Sequence, residues 1–356
     1  MKRTETARRV TLSDIARETG YSVNTVSRAL RNMADISPET CAHIQSVARG
    51  MGYMANQIAS SLRSGRTHTL AVVVGSMANP FYGIMVDSIQ DAAQAVGYSV
   101  MTMCSREDAA LERRLVEEAV SRRVDGILLF PTVESGETIA LLKAASVPFV
   151  LMSRYLTPGA ADSVVCDEAR GAYLATRHLI EAGCHRLAYV SRNRIALSSE
   201  ERVRGFLRAC DEAGLSGDDR RVCMPGAADG ALFPAREGGL VEGLLRLKAE
   251  GFDGLFMFCG VEAWHALDAM QKSGRFSPDD FGIVSFDNIE GALSFPLPLC
   301  SVDCSLPEMA RRGIELLRSR IHGDPRPPQT VVCPVKLVCR ASCGKDRDLN
   351  ARGDRP

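Results

Sequence analysis

From residue 70 onward, short apolar runs alternate with helix-length amphipathic stretches, and nothing else in the chain constrains its fold so strongly. The runs at 70–75, 98–103, 126–130, 147–152, 163–166, 187–190, 254–258 and 282–286 read as buried strands. Between most of them lie segments of helical length and pattern, at 80–96, 108–123, 168–181, 200–213 and 261–273. Strands apolar on both faces and joined by helices form parallel sheets with helices covering both sides. Roughly 270 residues of this pattern exceed one comfortable sheet, so two similar α/β lobes with a cleft between them are expected. Ligands of open α/β sheets sit beyond the carboxyl ends of the strands, which makes the cleft the natural pocket. Prolines 325, 327 and 328 separate a late helix over 307–322 from a strand over 331–340.

The first 50 residues follow a different pattern, that of short capped helices. Thr11-Leu12-Ser13-Asp14 forms a capping box, and Leu12, Ile15 and Ala16 make the apolar stripe behind it. Gly20 closes this helix, and Ser22 caps a second that runs to about Leu30. A third starts with Ser37 as cap and Pro38 in its first turn, turns Ile44 and Val47 inward, and stops at Gly50 and Gly52. Overall the formal charge is zero, but residues 1–66 hold ten Lys and Arg against five Asp and Glu, so the remainder is acidic. A small basic head on a larger acidic body suits nucleic-acid binding confined to the head.

Residues 10–30, Val-Thr-Leu-Ser-Asp-Ile-Ala-Arg-Glu-Thr-Gly-Tyr-Ser-Val-Asn-Thr-Val-Ser-Arg-Ala-Leu, are followed by Gly52-Tyr53 and by Asn56-x-x-Ala59-x-x-Leu62. This combination resembles the helix-turn-helix and hinge of the lactose-repressor (LacI/GalR) family, and the likeness extends over essentially the whole chain. It implies an all-α helix-turn-helix head (1–54), a hinge helix and linker (55–67), and a two-lobed effector domain like the type I periplasmic binding proteins (68–343). The polar tail, 344–356, is expected to be disordered. The resemblance also implies a double-stranded DNA operator as partner, with the second helix in the major groove. Val23, Asn24 and Arg28 would face base edges and Ser22 and Thr25 would bond phosphates, with Thr11 and Ser27 also among the DNA-binding residues. Asn56, Ala59 and Leu62 would form a hinge helix too short to persist alone, with Leu62 wedged into the minor groove at the dyad of a homodimer.

Three further motifs match the family's effector pocket. Asn79-Pro80-Phe81-Tyr82 supplies aromatic surface, Arg202-x-x-Gly205-Phe206 an arginine for effector oxygens, and Ser285-Phe286-Asp287 an acceptor carboxylate. Two places depart from the family pattern. Cys259-Gly260 stands where Asn-Asp is usual, and Ser153-Arg154 where Asp-Arg is common. A sugar or sugar acid is the expected effector, with Arg154, Arg192 and Arg194 tilting the pocket toward an anion. A regulator of the same build that answers to a protein partner or to no effector is the alternative. A periplasmic solute-binding protein is a more distant one, opposed by the basic head and the absence of a signal sequence.

Nothing in the sequence reads as an active site, and no cofactor is expected. The six histidines lack nucleophile or metal spacing, and no glycine-rich phosphate loop occurs. The twelve cysteines are scattered singly, without a Cys-x-x-Cys pair, as reduced and mostly buried thiols would be. No apolar run approaches the ~20 residues a membrane helix needs, so a cytoplasmic protein is expected. Without a C-terminal heptad stretch, a dimer is favoured over a tetramer.

Overall fold

The computed structural model describes residues 10–54, 65–154, 156–157, 159–191, 196–224, 239–274, 280–289, 291 and 297–343. The chain divides into two compact units, Met1–Thr67 and His68–Pro356. Residues 56–62 of the expected hinge helix and the tail from 344 lie outside the described residues.

The first unit is built from α1 (Leu12–Thr19), α2 (Val23–Ala29) and α3 (Pro38–Gly50). The capping box forms as expected: Thr11 Oγ1 accepts from the Asp14 N–H at 3.3 Å, and Asp14 accepts from the Thr11 N–H at 3.0 Å. Gly20 ends α1 at φ +75°, a left-handed conformation that an L side chain resists. Ser22 and Ser37 cap the next two helices through the N–H groups of Thr25 and Thr40. Ile15, Val26, Ala29, Cys41, Ile44 and Ala48 are buried together as the core. Val47 is only half-buried, because the inward stripe of α3 runs through Cys41, Ile44 and Ala48 and leaves it on the flank.

In the second unit, two six-stranded sheets stand in the orders β11-β5-β4-β3-β1-β2 and β12-β10-β9-β8-β6-β7. The first lobe holds β1 (Thr69–Val74), α4 (Pro80–Ala95), β2 (Ser99–Cys104), α5 (Ala109–Ser121), β3 (Gly126–Leu129), α6 (Gly136–Ala144), β4 (Phe149–Met152) and β5 (Ser163–Cys166). The chain then crosses into the second lobe. There it forms α7 (Glu168–Glu181), β6 (Leu187–Val190), α8 (Ala196–Glu212), β7 (Arg220–Cys223), α9 (Gly239–Ala249), β8 (Gly254–Met257), α10 (Gly260–Ser273), β9 (Gly282–Phe286) and β10 (Cys300–Asp303). It returns through α11 (Leu306–Ile321) to β11 (Thr330–Cys333) of the first sheet, then crosses a third time to β12 (Lys336–Val338) of the second. All pairings are parallel except that of β12 with β10.

Both faces of each sheet are covered, which explains the continuous apolar strands. Leu70, Val72 and Val74 pack with α4 and α11, whereas Ala71 and Val73 pack with α5 and α6. In the second lobe, Leu187 and Tyr189 face α7 and α8, and Ala188 and Val190 face α9 and α10. The single strand expected over 331–340 is two strands in different sheets. Pro334 lacks the N–H a ladder needs, and the chain changes lobes there.

Candidate functional site

The head presents the outer side of α2. Val26 and Ala29 are fully buried, while Ser22, Val23 and Asn24 are exposed, Val23 by 45%. Thr25, Ser27 and Arg28 are half-buried beside them. The polar groups of Ser22, Thr25 and Arg28, and of Thr11 on α1, are already engaged locally. Ser22 Oγ and Thr25 Oγ1 lie 2.8 Å apart at the cap, and the Thr11 hydroxyl donates to Asp14 at 2.7 Å. The Arg28 guanidinium pairs with Asp35. Both partners are more than a third exposed, and such a pair contributes only ~0–1 kcal/mol, so a stronger acceptor can displace it. The three hinge residues, Asn56, Ala59 and Leu62, fall outside the described residues.

In the body, a cleft of about 820 Å³ opens at the carboxyl ends of the strands. Phe81, Tyr82, Arg154, Arg202 and Asp287, which are spread over 200 residues of sequence, all line it. Asn79 caps α4 by accepting from the Phe81 N–H at 3.0 Å, which sets both aromatic rings at the head of that helix. Their surface is less available than the sequence suggests. Tyr82 is only 3% exposed, packs edge-on against Phe81 and Phe130, and has its hydroxyl bonded at both ends. That hydroxyl donates to Glu107 at 2.8 Å and accepts from Arg154 at 3.0 Å. Burial, followed by the Glu107 charge and hydrogen bond, outweighs the neighbouring Arg154 and keeps the phenol well above its usual pKa.

Arg154 grips Glu107 through two nitrogens, at 2.9 and 3.1 Å, and donates to the Pro131 carbonyl at 3.1 Å. Burial raises the Glu107 carboxyl, but the bonds from Arg154 and Tyr82 prevail and hold it below its usual pKa. The Arg154 charge, one of the three expected to draw an anion, is thus already matched by Glu107. Arg192 and Arg194 lie outside the described residues.

Arg202 is 5% exposed. Its Nε donates to Glu168 at 2.5 Å, another nitrogen donates to the Phe258 carbonyl, and Asp287 stands 3.7 Å away. The guanidinium also lies 3.6 Å from the centre of the Phe286 ring. Burial works against its charge, but Glu168 and then Asp287 more than offset this and raise its pKa well above the ordinary value. Gly205 of the same motif has a packing reason. A Cβ there would fall within contact distance of the Ala169 carbonyl oxygen and 2.9 Å from the Ala172 Cβ, so α7 and α8 could not approach as they do.

Both departures from the family pattern have local consequences. Ser153 sits at φ +65° at the end of β4, turning Arg154 into the cleft, and Asp287 sits at φ +86° at the end of β9. Non-glycine residues in this region are strained and collect at functional positions. Cys259 lines the cleft without a side-chain cap on α10, and a Cβ at Gly260 would lie 2.6 Å from Ile289. Sequence reasoning missed Glu107 and Glu168. Glu168 does carry a signal, since it opens a helix two residues past a strand end, where clefts form. Among the described lining residues, Arg154 and Arg202 face five carboxylates: Glu107, Asp108, Glu134, Glu168 and Asp287.

Three family models match in order along the chain: "Bacterial regulatory proteins, lacI family" at residues 11–56, "Periplasmic binding proteins and sugar binding domain of LacI family" at 67–230, and "Periplasmic binding protein-like domain" at 176–343. The transcriptional regulator DegA of Bacillus subtilis (strain 168) is 28% identical over 337 residues, 94% of this chain and 98% of its own. A PurR repressor of Aliivibrio fischeri (strain MJ11) is 26% identical over 335 residues, 93% and 98% of the two chains. A transcriptional regulator CelR–cellobiose complex superposes with a TM-score of 0.66 at 27% identity, covering 94% of this chain and all of the other. The lac repressor dimer bound to operator shares the fold with a TM-score of 0.78 at 20% identity, covering 95% and 100%. The chain therefore belongs to the lacI family of bacterial regulatory proteins, which are DNA-binding transcription regulators and not enzymes.

Proposed function

We propose that the chain is a cytoplasmic repressor that binds a pseudo-palindromic operator as a homodimer, under the control of a small neutral, polyhydroxylated effector. Two-fold symmetry of the dimer would be mirrored in the DNA, with one half-site for each head. Asn24 would pair with an adenine edge, Arg28 with guanine after leaving Asp35, and Val23 would meet a thymine methyl. Ser22, Thr25, Ser27 and Thr11 would bond phosphates, and residues 56–62 would fold over the minor groove at the centre. The effector would lie between Tyr82 and Arg154 on one side and Arg202 and Asp287 on the other.

The observation that carries the choice of a neutral effector is the cleft's charge. Among the described lining residues both arginines are matched and carboxylates outnumber them five to two, so an added anion meets net repulsion from these groups while hydroxyl groups find donors and acceptors. Calorimetric titration with neutral sugars and polyols, and with the corresponding sugar acids, tests this directly. Binding by the acids alone overturns the neutral reading, and binding by neither class points to control without a carbohydrate effector. For the head, the wild-type protein should select a two-fold symmetric site from a random duplex library. Arg28→Ala should relax one position in each half-site at a cost of about 1–3 kcal/mol. An equal loss on random DNA would remove Arg28 from base reading.

A further inference from the structure

At the end of the second sheet remote from the cleft, side chains far apart in sequence converge. His178 comes from α7, Cys300 is the first residue of β10, and Cys343 ends a one-turn 3-10 helix at Ala341–Cys343. One ligand atom from each of the three lies within 4.8 Å of the other two. Cys300 and Cys343 are buried, whereas Cys339 is exposed and sets its sulfur 3.9 Å from His178 Nδ1, marking the side open to solvent. On the same imidazole, Nε2 is buried and has no hydrogen-bond partner. A buried imidazole nitrogen left without a partner is costly, and it beckons a ligand.

We propose that Cys300, Cys343 and His178 form a binding site for a soft divalent metal ion, zinc. Thiolate and imidazole are the donors zinc takes, at about 2.3 Å for sulfur and 2.0–2.1 Å for nitrogen, and magnesium or calcium would require oxygens. A tetrahedral ion at these lengths spaces its ligand atoms roughly 3.3–3.8 Å apart, so the cluster needs to draw in by about 1 Å. The two thiols donate to backbone carbonyls, Cys300 to that of Arg340 at 3.2 Å and Cys343 to that of Ile283 at 3.1 Å, and an ion would take the place of those protons. The Arg340 N–H donates to Cys300 Sγ at 3.1 Å, the kind of outer bond that orients a metal-bound sulfur. Zinc would release the thiol protons of Cys300 and Cys343 to solvent, so binding strengthens as pH rises. Three protein ligands would leave a fourth position for a water molecule. The ion would tie the last turn of the lobe to α7 and β10. Linear spacing concealed the site, because its ligands come from three separate segments and no Cys-x-x-Cys pair announces it.

The test uses the full-length protein, reduced and stripped with a chelator, then titrated with Zn²⁺ against a chromophoric competitor. One equivalent per chain is expected, with a rise in the thermal midpoint. Co²⁺ in its place should give thiolate charge-transfer bands and the visible bands of a tetrahedral ion. Cys300→Ser, Cys343→Ser and His178→Gln should each weaken binding at least tenfold, while Cys104→Ser, in the other sheet, leaves it unchanged. X-ray absorption at the zinc edge of the wild-type protein needs no variant to fold, and should count two sulfurs and at least one imidazole. Binding below one equivalent, binding retained in the Cys300→Ser/Cys343→Ser double variant, or an all-oxygen or all-sulfur shell overturns the assignment.

Discussion

Replacing Arg202 by Met tests whether the cleft is held by a closed charge network. The guanidinium is 2.5 Å from Glu168 and 3.7 Å from Asp287, and all three side chains are at most 10% exposed. At an effective dielectric of about 20, these separations correspond to gross attractions of roughly 7 and 4 kcal/mol. The desolvation of three charges consumes much of that, so the net value of the network is small. Removing the arginine alone is another matter, because two buried carboxylates are then left without a counter-charge. A loss of about 3–5 kcal/mol is expected from Arg202→Met. Glu168→Gln leaves Arg202 with Asp287 and should cost less, about 2 kcal/mol. The double variant removes one of the stranded charges and should be more stable than Arg202→Met alone, a coupling of at least about 2 kcal/mol. Trp264, the one tryptophan, lies on α10 of the same lobe, so its fluorescence in urea reports unfolding where the change is made. If Arg202→Met costs under about 1 kcal/mol, or the double variant loses the sum of the singles, the network argument fails.

Gly205→Ala places a methyl against the Ala169 carbonyl and should cost about 1–3 kcal/mol by forcing α7 from α8, measured as a lower thermal midpoint with unchanged DNA binding by the folded fraction. Thr11→Ala removes the cap of α1 and should destabilise the head by about 1 kcal/mol, seen by circular dichroism; no change would mean that the capping box is idle. For Glu107, the folded pKa is lowered from 4.5, so its stabilisation is fully present above 4.5 and disappears as pH falls through the lower folded value. The difference in thermal midpoint between wild type and Arg154→Gln should therefore be constant from about pH 7 to 5 and shrink below 4.5. A difference that persisted at about pH 3 would place the effect elsewhere.

Much of this organisation could be read from residue patterns, for physical reasons. Capping boxes, the glycine at φ +75° and strands buried on both faces are local or periodic features, and each leaves a mark within a few residues. What escaped depends on tertiary pairing. β7 reads Arg-Arg-Val-Cys because it is an edge strand and only partly buried, so no apolar run announces it. β11 and β12 were read as one strand because sequence does not show that the chain changes sheets at Pro334. In the cleft, motif matches located one member of each charge pair, Arg154 and Arg202. Their partners, Glu107 and Glu168, sit 47 and 34 residues away, and only the fold brings them within reach.

Those pairings bear on how a cleft of this kind can act as a switch. Tyr82, Glu107 and Arg154 all belong to the first lobe, and Glu168, Arg202 and Asp287 all belong to the second. Each lobe therefore settles its own charges, and opening or closing the cleft breaks no ion pair among these six residues. Across the gap, the Arg202 charge opposes that of Arg154. An effector with hydroxyl oxygens can accept from both arginines and donate to Asp287, turning a mutual repulsion into a bridge. On the proposed reading that bridge would form only in a closed arrangement, and a ligand shifts an equilibrium only by such a difference between states, commonly ~1–3 kcal/mol. By this argument the arginines' prior engagement with Glu107 and Glu168 does not weaken the switch. It holds both donors at fixed positions, and the proposed effector would be the link between the lobes.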